Sequence, residues 1–336
     1  MFFQFVFDDK TMSINISIKY FKDKQDIYLK RGNMIRWPYR FRKPEGVKKG
    51  IIGFRTLWYK WDMFAENLFV RYAKLPKVGI YRGEPRTEKI IVSLTSFPAR
   101  IDKVYFAVKS LMIQSLKADE IILWLAKEQF PEQKLPKKFE KLIQRGLTIK
   151  WCDDKRSHKK YYYALQEQKP NELVLTYDDD IIYEYNSIEK LIDTHNIYPN
   201  CIICNRGHQI VRDENGVMLP YIQWKISSQE GVDNPSMEIM PSTGAGCLYP
   251  YGSMPDITFN WEIIQKNAIT ADDIWMRFCS YSNKVKIKRT AEQNATLCIV
   301  YGSQKERLTY INDICGENQQ VIENLAVIFP EVYRIS

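Results

Sequence analysis

An α/β fold, built on a mostly parallel mixed sheet flanked by helices, is what this 336-residue chain predicts, and two observations carry that reading. From Lys89 onward, short apolar runs alternate with amphipathic segments of helix length, the signature of βαβ units and parallel strands joined by right-handed crossovers. One of those runs, Leu173-Val-Leu-Thr-Tyr177, leads directly into Asp178, Asp179 and Asp180 before the chain turns apolar again at Ile181. Ligands of open α/β sheets bind at the carboxyl ends of strands, where these carboxylates fall. Three adjacent anions repel one another unless a cation lies among them, and hard carboxylate oxygens suit Mg²⁺ or Mn²⁺; a solvated acidic turn is the competing explanation.

The elements follow in order. Ile90–Leu94 reads as a first strand, Thr95-Ser96-Phe97-Pro98 as a turn, and Asp102 to Gln114 as a helix with Val104, Ala107, Val108 and Leu111 on one face. Glu120–Leu125 is a second strand and Pro136–Arg145 a second helix, stopped by Gly146. Leu147–Trp151 is a third strand ending in Asp153 and Asp154, His158–Gln168 a third helix, and the run into Asp178 a fourth strand. Beyond it, Ser187–His195 reads as a helix and Cys201–Cys204 as a strand; residues 205–241 read as irregular and polar, with Trp224 as the main large aromatic. Gly244 and Gly246 precede a short apolar strand, where glycine permits either close backbone approach to a ligand or a bulge. Thr270-Ala-Asp-Asp reads as a helix start with Thr270 as cap and Asp272 and Asp273 in the first turn, Val285–Arg289 as an edge strand, and Asn318–Val327 as a final helix.

Charge divides the chain. Residues 1–88 hold 19 Lys and Arg against 9 Asp and Glu, whereas the remainder is balanced at 30 against 31. This basic, aromatic-rich extension, 1–88, includes Arg31 to Lys43 with Trp37, Tyr39 and Phe41, then an amphipathic helix from Ile51 to about Lys74. Such a segment either lies on an anionic membrane surface or packs on the main domain, with packing the simpler reading. No recognised nucleic-acid motif accompanies the charge, so no nucleic acid is expected as a partner. A boundary is expected at 83–88, then a domain over 89–318 with halves 89–183 and 184–318, and a tail over 319–336. Seven scattered cysteines, only Cys201 and Cys204 in a CxxC, read as buried thiols rather than a zinc site or a disulfide framework. Met1 to Phe7 lacks the basic start and cleavage site of a secretory signal, and no apolar run spans a bilayer; the expected location is cytoplasmic, with peripheral attachment at the inner face of the plasma membrane as the extension's contribution.

In this order and spacing, Ile91-Val-Ser-Leu-Thr-Ser-Phe-Pro-Ala-Arg-Ile101, Ser157-His-Lys-Lys-Tyr-Tyr-Tyr-Ala-Leu165, Thr176-Tyr-Asp-Asp-Asp-Ile-Ile-Tyr183, Ser242-Thr-Gly-Ala-Gly246 and Thr270-Ala-Asp-Asp-Ile-Trp275 resemble a GT-A-fold glycosyltransferase of the family 2-like bacterial enzymes of polysaccharide, capsule and lipopolysaccharide assembly. The likeness runs from about Lys89 to Asn318 and leaves the extension outside it. It implies transfer of a single sugar from a nucleotide-sugar donor, a UDP-sugar in the first instance, to a glycan or lipid-linked acceptor, with Mn²⁺ or Mg²⁺ assisting. Asp178 and Asp180 match the outer positions of the family's DxD motif, Asp180 reaching the metal and Asp178 nearer the ribose or metal-bound water. Thr95, Ser96, Arg100, Asp153, Asp154, Lys160 and Asp179 are implied at the donor, with Gly244 and Gly246 close by and Arg100 and Lys160 complementing phosphate charge. Asp272 and Asp273 fall where related enzymes place an acidic pair; Asp273 is the expected base of an inverting transfer, kept ionised by the helix N-terminus, with its basicity depending on burial when substrate binds. The family's C-terminal metal-binding histidine is absent, because no histidine follows His208, and so is the QxxRW signature of processive synthases. Two alternatives use the same residues differently: a metal-dependent nucleotidyl or phosphoryl transferase, and a non-catalytic scaffold binding membrane or nucleic acid. The first lacks a glycine-rich phosphate loop after the first strand and the second requires the acidic motifs to be dispensable.

Overall fold

The computed structural model describes residues 4–8, 11–15, 52–290, 297–303 and 316–335. The basic stretch Arg31 to Lys43 and Cys315 lie outside them, as do Ile51 and the side chains of Phe54, Leu57 and Trp58. Two compact units divide the chain, Met1–Arg36 and Trp37–Ser336. The first holds an antiparallel hairpin, β1 (Gln4–Asp8) and β2 (Thr11–Asn15).

In the second unit, seven strands form one sheet in the order β12-β8-β11-β6-β3-β4-β5. Four of them come from the predicted βαβ run: β3 (Lys89–Thr95), β4 (Glu120–Ala126), β5 (Leu147–Cys152) and β6 (Glu172–Tyr177), all parallel. The chain steps from β3 outward to β4 and β5, then returns to place β6 on the other side of β3. That reversal is a topological switch point, and it opens a crevice at the carboxyl ends of β3 and β6. Ser96 follows β3 and Asp178 follows β6, so both flank the crevice by topology alone.

The remaining strands are β8 (Ile202–Cys204), β11 (Ala245–Tyr249) and β12 (Ile287–Arg289). β11 runs antiparallel to β6 and β8, and β12 lies parallel to β8 at the edge. The mixed, mostly parallel α/β sheet expected from sequence is therefore the observed one. Alternate residues of single strands feed two cores: Ile91 and Val174 face one side, Ile90, Val92, Leu173 and Leu175 the other. On the first side pack α4 (Lys159–Gln166), α6 (Trp261–Asn267), α7 (Asp272–Ser282) and α8 (Glu317–Ile328); on the second pack α2 (Ile101–Met112), α3 (Lys138–Ile143) and α5 (Ser187–Ile197).

Two local expectations are corrected. The 205–241 region contains a strand pair, β9 (Gly207–Gln209) with β10 (Ile239–Pro241), whose three-residue strands are too short to show a period. Ala271, not Thr270, is the N-cap of α7, and no side chain caps it.

Helix α1 (Ile52–Tyr72), predicted within the basic extension, belongs to the sheet-bearing unit. Val70 is buried with Ile182 and Val300, and Met63 and Phe69 pack there too. The Asn67 amide donates to the Ile299 carbonyl at 2.9 Å and its oxygen accepts from the Tyr301 N–H at 2.9 Å. Packing continues across the boundary expected at 83–88. Trp61 and Phe64 remain exposed on the outer side, and no described helix is long and apolar enough to cross a membrane. The six described cysteines are buried thiols.

Candidate active site

Eight of the residues picked from sequence gather at the crevice in two sets of ion pairs and hydrogen bonds joined through the backbone of the triad. Asp179, the middle of the triad, turns inward: its carboxylate accepts from Ser96 Oγ at 2.6 Å and from Arg100 Nη1 at 2.9 Å. Burial raises the Asp179 pKa despite those two donors. Arg100 also lies 3.3 Å from Asp180, so one guanidinium serves two members of the triad. Burial and then the charge of Asp178 push Asp180 up to about 6, the mark of a carboxyl that lacks enough positive charge nearby.

Asp178 faces the opening, with its side chain 41% exposed, and pairs with Lys160 Nζ at 2.7 Å. Its position depends on Gly244. A Cβ there would stand 1.7 Å from Asp178 Oδ2, so only glycine admits the carboxylate. The Asp178 N–H donates to the Gly244 carbonyl at 3.1 Å, and Tyr183 Oη donates to that carbonyl at 2.7 Å, fixing the start of the triad to the strand beside it. Gly246 acts on the backbone instead. At φ +98° it sits where the pairing of β11 with β6 shifts register, so it is the bulge glycine.

Lys160 joins the two acidic groups. Its buried ammonium contacts Asp178 and, at 2.8 Å, Asp272 Oδ2 in the first turn of α7. Burial works against the charged lysine, but Asp178 and Asp272 outweigh it and hold its pKa well above the usual value. Burial likewise opposes ionisation of Asp272, and Lys160 overturns that, bringing its pKa below the usual carboxylate range. Asp273 fares otherwise. Burial and the charge of Asp272 raise it to about 7, although Thr243 donates to its Oδ1 through both the hydroxyl and, at 3.1 Å, the N–H. The expectation that the helix N-terminus keeps Asp273 low is thereby corrected: its neighbour and its burial win. His158, beneath the pair, donates from Nε2 to the Ala268 carbonyl at 3.0 Å, so Nδ1 accepts from Tyr161 Oη at 2.8 Å. Burial depresses it to about 4 and leaves it neutral.

Thr95, Asp153 and Asp154 share the carboxyl edge of the sheet but stand outside these two sets. Thr95 Oγ1 donates to the Trp124 carbonyl at 2.9 Å. Asp154 is bound by Lys159, by Gln129 at 2.9 Å and by the Arg156 N–H at 2.9 Å, and Lys159 outweighs burial in holding its pKa down. Asp153 is exposed, with Lys127 at 3.7 Å. Thr243 and Tyr183 are the residues in contact with these sets that single-residue reading missed.

Among the described residues no group of three or more histidine, cysteine or acidic side chains is placed to hold a metal. The donor set that remains, Asp178 and Asp180, still fits a divalent ion of the Mg²⁺ type, which commonly takes one or two carboxylates and completes its shell with water and substrate phosphate. The raised Asp180 supports that fit, because an added cation relieves the repulsion that raises it.

No family model and no curated relative matches the sequence. Among solved structures the chain is similar to 4-diphosphocytidyl-2C-methyl-D-erythritol synthase from Anaerococcus prevotii, at 14% identity and a TM-score of 0.36, over 68% of this chain and 97% of that one. A likeness at that score places no residue and argues for no activity; what the chain shows by itself is an α/β protein with a switch-point crevice lined by carboxylates and two cations.

Proposed function

We propose that the chain is a metal-assisted transferase acting on a nucleotide substrate, and specifically a glycosyltransferase that moves one sugar from a nucleotide-sugar donor to an acceptor hydroxyl. The observation that carries the sugar-transfer reading is Asp273, a carboxyl raised to about 7 in the crevice and aimed by Thr243. A general base works best with a pKa near the working pH. In this scheme Asp273 takes the acceptor proton as the hydroxyl oxygen bonds to the anomeric carbon. The bond from that carbon to the diphosphate breaks, and its electron pair leaves with the nucleoside diphosphate.

The residues around the base divide the remaining work. Asp272 stays ionised against Lys160 and keeps Asp273 basic by repulsion. Asp178 and Asp180 hold Mn²⁺ or Mg²⁺, which when bound supplies Lewis-acid neutralisation of the leaving diphosphate. Ser96 and Arg100 lock Asp179 and so fix the turn that presents both ligands. Lys160 lies where it can exchange Asp178 for a phosphate oxygen. The acceptor is proposed as a glycan or lipid-linked saccharide.

Nucleotidyl transfer is the second reading, since two carboxylates on a divalent ion serve it equally. Two features favour sugar transfer over it: a phosphate nucleophile has no proton for Asp273 to remove, and the turn from Ser96 to Arg100 contains Pro98 and no glycine to cradle a triphosphate. The product separates them. A panel of nucleotide sugars and of nucleoside triphosphates with sugar phosphates, each with and without Mn²⁺, is expected to give nucleoside diphosphate from one nucleotide sugar, at a rate that rises through pH 7. Pyrophosphate from a triphosphate would establish the second reading instead, and turnover indifferent to chelation would overturn both.

A further inference from the structure

We propose that Arg206 forms an oxyanion subsite next to Asp273, which takes a phosphate or carboxylate carried by the acceptor; the acceptor assignment rests on the transferase reading above, the anion site does not. The layout of the sheet edge makes the case. Residues 242–244 cross between the ends of β8 and β6. At one end the Ser242 N–H donates to the Arg206 carbonyl at 2.9 Å, and at the other the Gly244 carbonyl accepts from the Asp178 N–H. Thr243, between them, holds Asp273. The base therefore has Lys160 and the triad on one flank and Arg206 on the other.

Arg206 is braced rather than loose. Its Nε donates to Ser227 Oγ at 2.8 Å. Ser227 is a non-glycine residue at φ +53°, a strained conformation that surrounding structure must enforce. Its N–H donates to His208 Nδ1 at 3.0 Å, so His208 carries its proton on Nε2, 3.4 Å from Ser242 Oγ. Burial and the nearby Arg206 and Arg289 keep that histidine neutral, at about 4.

The brace engages one guanidinium nitrogen and aims the other two. Among the described residues, Nη1 and Nη2 of Arg206 make no hydrogen bond or ion pair, and no carboxylate lies within ion-pair distance. Arg206 is half-buried, Arg289 adds positive charge to its surroundings, and the acid it interacts with most is Asp273 itself. A partly desolvated cation without a counterion favours an incoming anion, and the planar guanidinium fork offers phosphate or carboxylate two parallel hydrogen bonds. Such an anion would sit beside the base, as the charged group of an acceptor does when its hydroxyl meets Asp273. Ile226, adjacent to Ser227, is exposed, so a lipid phosphate is one source of this chemistry and a soluble sugar phosphate the other.

Calorimetric titration of the full chain with inorganic phosphate, glucose 6-phosphate and octyl phosphate, in chelator, tests the site, with a nucleoside diphosphate titrated in parallel in the presence of Mn²⁺. The expected result is a loss of about ten-fold or more in phosphate affinity for Arg206→Gln, a smaller loss for Arg206→Lys and for Ser227→Ala, and nucleoside diphosphate affinity unchanged. Thermal melts of each variant separate lost binding from lost fold, and Arg206→Lys retains the charge if Arg206→Gln melts early. Phosphate affinity equal in wild type and Arg206→Gln overturns the proposal, as does phosphate binding abolished by Arg100→Gln alone. Tighter glucose 6-phosphate than octyl phosphate supports the soluble source, and the reverse the lipid one. Arg206-dependent phosphate binding in a chain that takes no nucleoside diphosphate would instead overturn the transferase reading and leave the anion site standing.

Discussion

Two acidic groups meet across Lys160, the triad Asp178–Asp180 behind β6 and the pair Asp272–Asp273 opening α7, and each pins one carboxylate with a cation while raising another. In the triad, Arg100 and Ser96 pin Asp179, and burial with the charge of Asp178 lifts Asp180 to about 6. In the pair, Lys160 pins Asp272, and burial with the charge of Asp272 lifts Asp273 to about 7. The difference lies in their partners. Asp178 is open to the crevice beside Asp180, a setting that draws in a cation; Asp273 is held by the N–H and hydroxyl of Thr243, a setting suited to receiving a proton. On the proposed reading, like charges on neighbouring residues would serve metal binding in one place and base chemistry in the other.

Substitutions can break that division of labour. The largest effect is expected for Asp273→Asn, which should lower transfer by about 10²- to 10⁴-fold while nucleotide affinity, read by titration, holds. The same variant should flatten the pH profile. The folded Asp273 keeps a proton that the unfolded chain has released, so stability from this group is present below 3.8 and is lost as pH rises to about 7. Denaturation across that window should show the decline in wild type and a shallower one in Asp273→Asn, because Asp180, raised to about 6, supplies part of it.

Next comes Lys160→Met, which strands Asp178 and the buried Asp272. Breaking a buried ion pair costs about 3–5 kcal/mol, and the lower end applies because Asp178 keeps solvent contact; urea unfolding measures it. Asp180→Ala should abolish the divalent-ion dependence and reduce the rate on the order of 10²-fold, with the melting temperature preserved or raised, since a carboxyl under repulsion is removed. Gly244→Ala should be the mildest: the added Cβ displaces Asp178, and metal affinity, followed by Mn²⁺ titration, should fall about ten-fold with the sheet intact. A Gly244→Ala chain that binds Mn²⁺ normally would detach Asp178 from the metal and leave Asp180 alone in that role.

The triad and the acidic pair were readable in sequence because they fall at a strand end and a helix start, and a residue's place at an end is local information, whereas Lys160 was marked only by the family resemblance. The βαβ run was legible for the same reason. What stayed hidden is relational. That Asp179 turns inward depends on Ser96 and Arg100, some eighty residues earlier, and that Asp273 is raised rather than lowered depends on its burial against Asp272. Gly244 and Gly246 look alike in sequence, yet one clears space for a carboxylate and the other bends a strand. The β9–β10 pair escaped because three residues on each strand carry no pattern.

Helix α1 extends the site's dependencies toward the amino-terminal side. Asn67 clips β13 (Cys298–Ile299), which pairs with β7 (Ile181–Ile182), and the Val300 N–H donates to the Asp180 carbonyl at 2.8 Å. On the proposed metal role of Asp180, pulling α1 away is expected to loosen the strand that follows the triad, and metal affinity would then report remotely on whether that helix is seated.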